Sequence, residues 1–546
     1  MRTTASELTR QLELYGVNHV FGIPGVHTLG LYRGLQETHI RHVTPRHEQG
    51  AGFMADGYAR VSGKPGVCFI ISGPGMTNIL TSMGQAYSES IPMLVISSVN
   101  SHGRMGSGDG WLHELADQRA LVNGVCAFSH TVNNPGEITQ VLARAFAVFD
   151  SQRPRPVHIE IPINILNAQL ESTFKAPDRP PRLLAPVARK EQLIEAAHQL
   201  GCATKPVMLV GGGARHATQA VREIAEAIDA PVVMTVNARG LLQHDHALAI
   251  SASASLEAVR TLIAQADVVL AIGTELGPTD YDAYEDGQFE IDSTLIRIDL
   301  DAQQLLRNQI PTIGIVGDAQ ASCVELLSNI AGAEKNSATD GASERLHEQG
   351  GVARASQTKS QVSDALSERE HHYLSVLSTI RDTLKQCVIV GDSTQIIYTG
   401  NTSFGMDQPA SYFNSAMGFG TLGYALPAAI GAAIAAPKRS VIAISGDGGL
   451  QFSAAELLTA TDEKLSITLI VHANGGYVEI DNCMRESGIE PVGVDLLTPD
   501  FHSMAKSVGW QCMEIESLQE LASTLKGAST TNQSSIIVLN DRLFYE

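Results

Sequence analysis

The triplet Gly446-Asp447-Gly448 follows the apolar run Ser440-Val441-Ile442-Ala443-Ile444-Ser445. A second apolar run, Ile467 to Val471, leads into Ala473-Asn474-Gly475-Gly476, with the Asn 27 positions after the Asp. Runs of this kind read as buried parallel strands. A helix-like segment, Ser453 to Thr461 with Glu456 near its start, lies between them. Strand, helix and strand put Asp447 and Asn474 at one carboxyl edge, where open α/β sheets bind ligands. A hard divalent ion such as Mg²⁺ takes oxygen donors, few of them from side chains and the rest from phosphate and water. Asp447, the Asn474 amide oxygen and a carbonyl near Gly476 offer such donors, and the glycines let the backbone approach a diphosphate. The triplet alone also reads as a strand-end turn with a solvated Asp. The companion Asn between two strands favours the cradle.

A chain of 546 residues exceeds one core, so two to four domains are expected. Residues 1–170 alternate strand and helix signals. Thr4 to Tyr15 is helical, His19 to Gly22 a short strand, and Ile23-Pro24-Gly25 a tight turn. Arg46 to Tyr58 opens a helix, Val67 to Ser72 is a strand turned by Gly73-Pro74-Gly75, and Met93 to Ser98 and Pro156 to Ile161 are further strands. Residues 171–190, with four prolines, read as an extended linker. A middle domain, 186–332, carries strands at Val207, Val232, Val268 and Ile296. Its Gly211-Gly212-Gly213 has no third glycine in place for a dinucleotide fingerprint, so a plain strand-to-helix turn is preferred. Residues 333–369 read as a solvated linker, and 370–546 form the third unit, from Val388 to the last strand, Ser535 to Leu539. The fold class is therefore α/β, with three doubly wound parallel-sheet domains.

The spacing of Asp447 and Asn474 resembles the thiamine diphosphate signature of the acetolactate synthase and 2-oxo acid decarboxylase superfamily, and the resemblance runs over nearly the whole chain. Where that pattern has Asn-Asn, this chain has Ala473-Asn474, keeping the metal-binding second Asn. The resemblance implies a pyrimidine-binding first domain and a diphosphate-binding third one. It implies Asp447, Asn474 and the Gly476 carbonyl as Mg²⁺ ligands, with Gly448, Gly449 and Tyr477 beside the diphosphate. Removing the thiazolium C2 proton is beyond any ordinary side chain. The cofactor's own 4′-imino nitrogen does it once a carboxylic acid holds the pyrimidine N1′. His47-Glu48-Gln49-Gly50-Ala51 matches the family's His-Glu-x-x-Ala context, which makes Glu48 that acid; the bland alternative is a capping or solvated Glu. By resemblance too, Thr394 and Gln395 bond the diphosphate. The Gly420 carbonyl accepts from N4′, Leu422 props the bent cofactor, and Pro24-Gly25 with Val26 and His27 faces the thiazolium. His113 and Glu114 lie in a loop that carries proton-relay histidines in simple decarboxylases, and each His also reads as a packed or solvated residue.

Glu48 and the cradle fall in different domains. In the family they meet across a subunit interface, so a homodimer or a homotetramer is expected. Three departures argue against an acetolactate synthase: His113-Glu114 in place of Phe-Gln, Ile163 in place of Lys, and no Arg after Ile272-Gly273, which also argues against FAD. The stretches Gly22 to Leu29 and Gly273 to Asp282 resemble decarboxylases of 5-guanidino-2-oxopentanoate. Glu114, Glu479 and the cluster Asp280, Asp282, Glu285 and Asp286 suit a cationic tail, a guanidinium above all, though a solvated acidic surface also accounts for the cluster. The expected reaction is decarboxylation of a small 2-oxo acid to an aldehyde; the alternative is an acetolactate synthase-type carboligase. A net charge of -20 argues against nucleic acid as partner, no apolar run is long enough for a membrane span, and scattered cysteines suggest a cytoplasmic chain.

Overall fold

The computed structural model describes residues 2–175, 177–281, 291–339, 350–531 and 533–540. Three six-stranded sheets, all parallel, carry the chain. The first orders its strands Arg41–Val43, His19–Gly22, Gly66–Ile70, Met93–Val99, Val157–Pro162 and Phe128–Thr131 across the sheet. The third runs Tyr412–Asn414, Val388–Gly391, Val441–Gly446, Ile467–Ala473, Ser535–Asn540 and Gln511–Ile515. Numbered within its own domain, each sheet reads 2-1-3-4-6-5, so the two outer domains share one topology although no sequence repeat is visible. The middle sheet instead reverses its strand order between Val207–Val210 and Val268–Ile272, as dinucleotide-binding folds do.

Glycine-on-glycine packing explains the run at the end of Val207–Val210. A methyl at Gly213 would lie 2.9 Å from the Gly273 Cα, and one at Gly211 would run into the Gly273 carbonyl. A crevice of about 510 Å³ opens there, lined by Arg60 and Glu89 of the first domain, Thr274 and Asp299 of the middle one and Tyr412 of the third.

The segment 333–369 differs from the expected solvated linker. Within it Gly351–Ala365 is a helix that packs Ala355 and Val362 into the middle domain's core, and Arg354 donates to the Pro206 carbonyl at 2.8 Å. Ala355 and Val362 stand two turns apart on the buried face, which a count of polar residues hides.

The outer domains join through two helices, Glu48–Ser62 and Ala425–Ala435, in one continuous core. Gly57 abuts the Ala428 carbonyl and Gly431 abuts the Met54 carbonyl, leaving no room for a side chain at either crossing point. Asp56 and Arg60 on the first helix form an ion pair at 2.6 Å, and Tyr424 donates to Asp56.

A buried polar row crosses the first sheet. Ser97 and Ser129 hydroxyls hold the two ring nitrogens of His158 at 2.8 and 2.7 Å, and burial, then the Arg119 charge, pushes its pKa down from 6.5 to about 3. Across that window the unfolded chain carries a proton on this ring that the folded chain lacks, so stability falls as pH drops. Replacing His158 by Gln should flatten the acid limb of the urea-unfolding midpoint plotted against pH. An unchanged limb would assign the acid sensitivity elsewhere.

Candidate active site

Both halves of the site stand on strand ends, where a parallel sheet exposes unpaired backbone. In the third domain Asp447 follows Val441–Gly446 and Asn474 follows the neighbouring strand, with Gly446 and His472 in register. Asp447 is buried; its carboxylate accepts from Gly448 N at 2.9 Å, Gly475 N at 2.8 Å and the Thr498 hydroxyl at 3.3 Å. The Asn474 side-chain oxygen faces only acceptors: Asp447 Oδ1 at 3.2 Å and the Gly476 carbonyl at 3.3 Å. Three oxygens converging without a proton between them fit a hard cation, whose octahedral ligands stand near this spacing. Rotating the amide would instead place two hydrogen bonds there. Gly476, at φ +146°, presses against the Val494 carbonyl, a backbone shape that a side chain resists. Tyr477 is anchored by its N–H on Val494 at 2.9 Å, and its ring lies 2.9 Å from where a Gly448 methyl would be.

Beside the cradle, Thr394 is buried with its hydroxyl 3.4 Å from His472 Nδ1, and Gln395 donates to Glu479 at 2.6 Å. Asp392 escaped the sequence reading. Its buried carboxyl accepts from Ser393 N at 2.9 Å and the Ser445 hydroxyl at 3.3 Å, and also from the backbone of Ala425 and Gly423. Burial pushes it up to about 6. Asp392 thereby ties the turn Gly420–Gly423 to the end of the strand Val388–Gly391; it stands two positions before Thr394 in Gly391-Asp392-Ser393-Thr394, where an acid on an apolar strand end was the available signal. Gly420 is exposed at φ +72°, and Leu422 is half-buried.

The first sheet's carboxyl edge gathers the other candidates. Glu48 is the first residue of its helix and is buried; Asn78, on Pro74–Ser88, donates to it at 2.9 Å. A methyl at Gly75 would meet Glu48 Oε1 at 3.3 Å, and Ile71 fills the space between Gly75 and Gly25. The turn after Pro24 is closed by Thr28, whose hydroxyl bonds Gly25 at 3.0 Å. It buries His27 and leaves Val26 62% exposed. His27 and His113 lie side by side, ring centroids 5.1 Å apart, and burial, then the His113 charge, lowers the His27 pKa. His113 takes the left-handed conformation, φ +59°, with its backbone against Gly73. Such strain in a non-glycine residue gathers at working sites.

Glu114 turns away from this pair. Its carboxylate accepts from Gly108 N at 2.7 Å, Gly110 N at 2.9 Å, Trp111 N at 3.0 Å and the Ser107 hydroxyl at 3.1 Å, bonds that hold it below the usual carboxylate range. It holds its own loop. Of the expected acidic cluster, Asp282, Glu285 and Asp286 lie outside the described residues. Asp280 and Glu479 line one cavity of about 410 Å³, with Arg239, Tyr398, Met417 and Cys483. Burial, then the charges of Glu89 and Glu275, pushes the Asp280 carboxyl up to about 7 against the pull of Arg239.

Three parallel-sheet domains, the outer two alike in topology, one with the Asp447 turn and the other with the buried Glu48 at its strand ends, form a thiamine diphosphate-binding architecture. The chain belongs to the thiamine pyrophosphate enzymes: its residues 2–121 match the N-terminal TPP binding domain, 193–326 the central domain and 392–539 the C-terminal TPP binding domain of that family. It is 40% identical to a probable 2-ketoarginine decarboxylase of Pseudomonas aeruginosa, over 98% of this chain and 94% of that protein. It is 31% identical to the acetolactate synthase large subunit of Corynebacterium glutamicum (98% and 86% covered) and 30% to the isozyme 1 large subunit of Escherichia coli (86% and 82%). No helix among the described residues is long and apolar enough to cross a membrane.

Proposed function

We propose that this enzyme is a Mg²⁺- and thiamine diphosphate-dependent decarboxylase of a 2-oxo acid with a guanidino side chain, releasing CO₂ and an aldehyde. The observation that carries the substrate class is that Asp280 and Glu479 line one cavity, with Glu479 bonded to Gln395. Two carboxylates suit the fork of a guanidinium. The name of the Pseudomonas relative agrees with this.

Bound thiamine diphosphate supplies a C2 centre that takes up the electron pair left as CO₂ departs. Asp447, Asn474 and the Gly476 carbonyl hold the cation, and Thr394 and Gln395 hold the diphosphate. Glu48, screened from water and oriented by Asn78, keeps a proton at the pyrimidine N1′. His27 and His113 are placed to move the proton that releases the aldehyde.

The substrate reading is tested by CO₂ release from a panel of guanidino, branched, aromatic and unsubstituted 2-oxo acids. Replacing Glu479 by Gln and Asp280 by Asn should raise KM for the guanidino substrate by about 10- to 100-fold, as for lost hydrogen bonds to a charge, and leave neutral substrates alone. An equal effect on all substrates would remove the guanidinium assignment. The similarity to acetolactate synthases favours a second reading, a carboligase joining two 2-oxo acids. Acetolactate formed from pyruvate alone would establish it.

We read the active assembly as a homodimer, or a tetramer of two such dimers, with Glu48 of one subunit serving the cradle of another. Among the described residues no hydrogen bond joins Glu48 to the cradle. Val26, Phe419 and Phe452 stay 52 to 62% exposed around these elements, apolar surface that a second copy would cover.

A further inference from the structure

We propose that Glu456, on the third domain, is the positioning residue for Glu48; this rests on Glu48 acting as the acid at the cofactor's pyrimidine. Glu456 is 1% exposed, and its carboxylate reaches across the domain boundary to backbone rather than to a side-chain cation. Arg46 N donates to both its oxygens, at 3.0 and 3.1 Å, and His47 N to Oε1 at 3.1 Å. The Thr459 hydroxyl holds Oε2 at 2.6 Å.

These contacts fall on the two residues that precede Glu48. His47 caps the helix through its ring, which accepts from Gln49 N at 3.1 Å, so its own N–H is left for Glu456. Because Glu48 is the first helical residue, the setting of this cap aims its side chain. Gly50, one turn on, is where a methyl would collide with Glu456 Oε1, so the helix start is fitted to that carboxylate. The body of the helix is already locked on Ala425–Ala435 at Gly57 and Gly431. Its free end is therefore the part left for Glu456 to fix. Arg46 adds an ion pair to Asp462 and Arg41 one to Glu463 at 3.0 Å, each with one solvent-exposed partner and so weaker. A buried carboxylate with three donors is the stronger hold.

The test uses the full-length protein and four variants: Glu456→Ala, Glu456→Gln, Gly50→Ala and Glu48→Gln. Amide hydrogen exchange of residues 45–49 is followed without cofactor, and hydrogen–deuterium exchange at C2 of the bound cofactor is followed with it. Glu456→Ala and Gly50→Ala should expose the Arg46 and His47 amides and slow C2 exchange about 10- to 100-fold, as for a small misplacement of a catalytic group, with cofactor affinity unchanged. Glu456→Gln keeps one acceptor oxygen and should recover most of the rate. Glu48→Gln should keep both amides protected yet lose C2 exchange. Wild-type C2 exchange in Glu456→Ala, with its amides exposed, overturns the positioning role and leaves the Glu48 reading intact. Wild-type C2 exchange in Glu48→Gln removes that reading first. Should Glu456→Ala fail to fold, Gly50→Ala, which keeps the carboxylate and displaces it, decides.

Discussion

Replacing Glu48 by Gln should lower kcat for 2-oxo acid decarboxylation by about 10²- to 10⁴-fold, the range seen when a positioned proton-transfer group is lost. The change is close to isosteric. Gln can still accept from Asn78 and fits beside Gly75, so the fold and cofactor affinity should hold. What it cannot do is keep an ionisable proton at the pyrimidine nitrogen. The loss should therefore fall on kcat, with Kd for the cofactor, measured by calorimetry, close to wild type. Turnover at the wild-type rate would show that Glu48 is a buried structural acid and no more.

Asp447→Asn should abolish Mg²⁺-dependent cofactor uptake over the concentrations that saturate the wild type, a weakening of at least about 100-fold, since even outer partners of a metal site cost 10- to 100-fold. The carboxylate does two jobs. Oδ2 takes the Gly475 amide, which shapes the turn, and Oδ1 takes the Gly448 amide and faces the Asn474 side chain. An amide at position 447 can keep one of these but brings a proton donor or a neutral oxygen to the cation position. Thermal unfolding of the cofactor-free protein should move little, because Thr498 and the glycine turn remain. In wild type, adding Mg²⁺ and thiamine diphosphate together should raise the melting temperature, and in the variant it should not. Equal cofactor affinity in the two proteins would place the diphosphate elsewhere.

The two variants also test the assembly. Mixed at equal amounts and allowed to exchange subunits, Glu48→Gln and Asp447→Asn chains should regain up to about a quarter of wild-type activity, because half the dimers are mixed and each holds one intact site. No recovery despite demonstrated exchange would confine each site to a single chain.

Much of this site is written in short runs of sequence. Asp447, Asn474, Thr394 and Glu48 each follow an apolar strand or open a helix, and the strand-end position is what makes them functional. The shortest strands were less legible. Phe128–Thr131 mixes polar with apolar over four residues and Ala249–Ile250 spans only two, too little for a period of two to show. Both lie at sheet edges, where one neighbouring strand is missing.

What the sequence alone determined is the set of strand ends and the chemistry they carry, because a parallel strand buried on both faces and a glycine turn after it are local patterns. Only the tertiary structure decided which strand ends share a site and what holds them there. It brought His27 beside His113, Asp280 and Glu479 to one cavity, Asn78 to Glu48, and Glu456 to the backbone of Arg46 and His47 some four hundred positions away. The last of these depends on how two sheets of like topology are pressed together through Gly57 and Gly431, a close backbone approach that no window of neighbouring residues encodes.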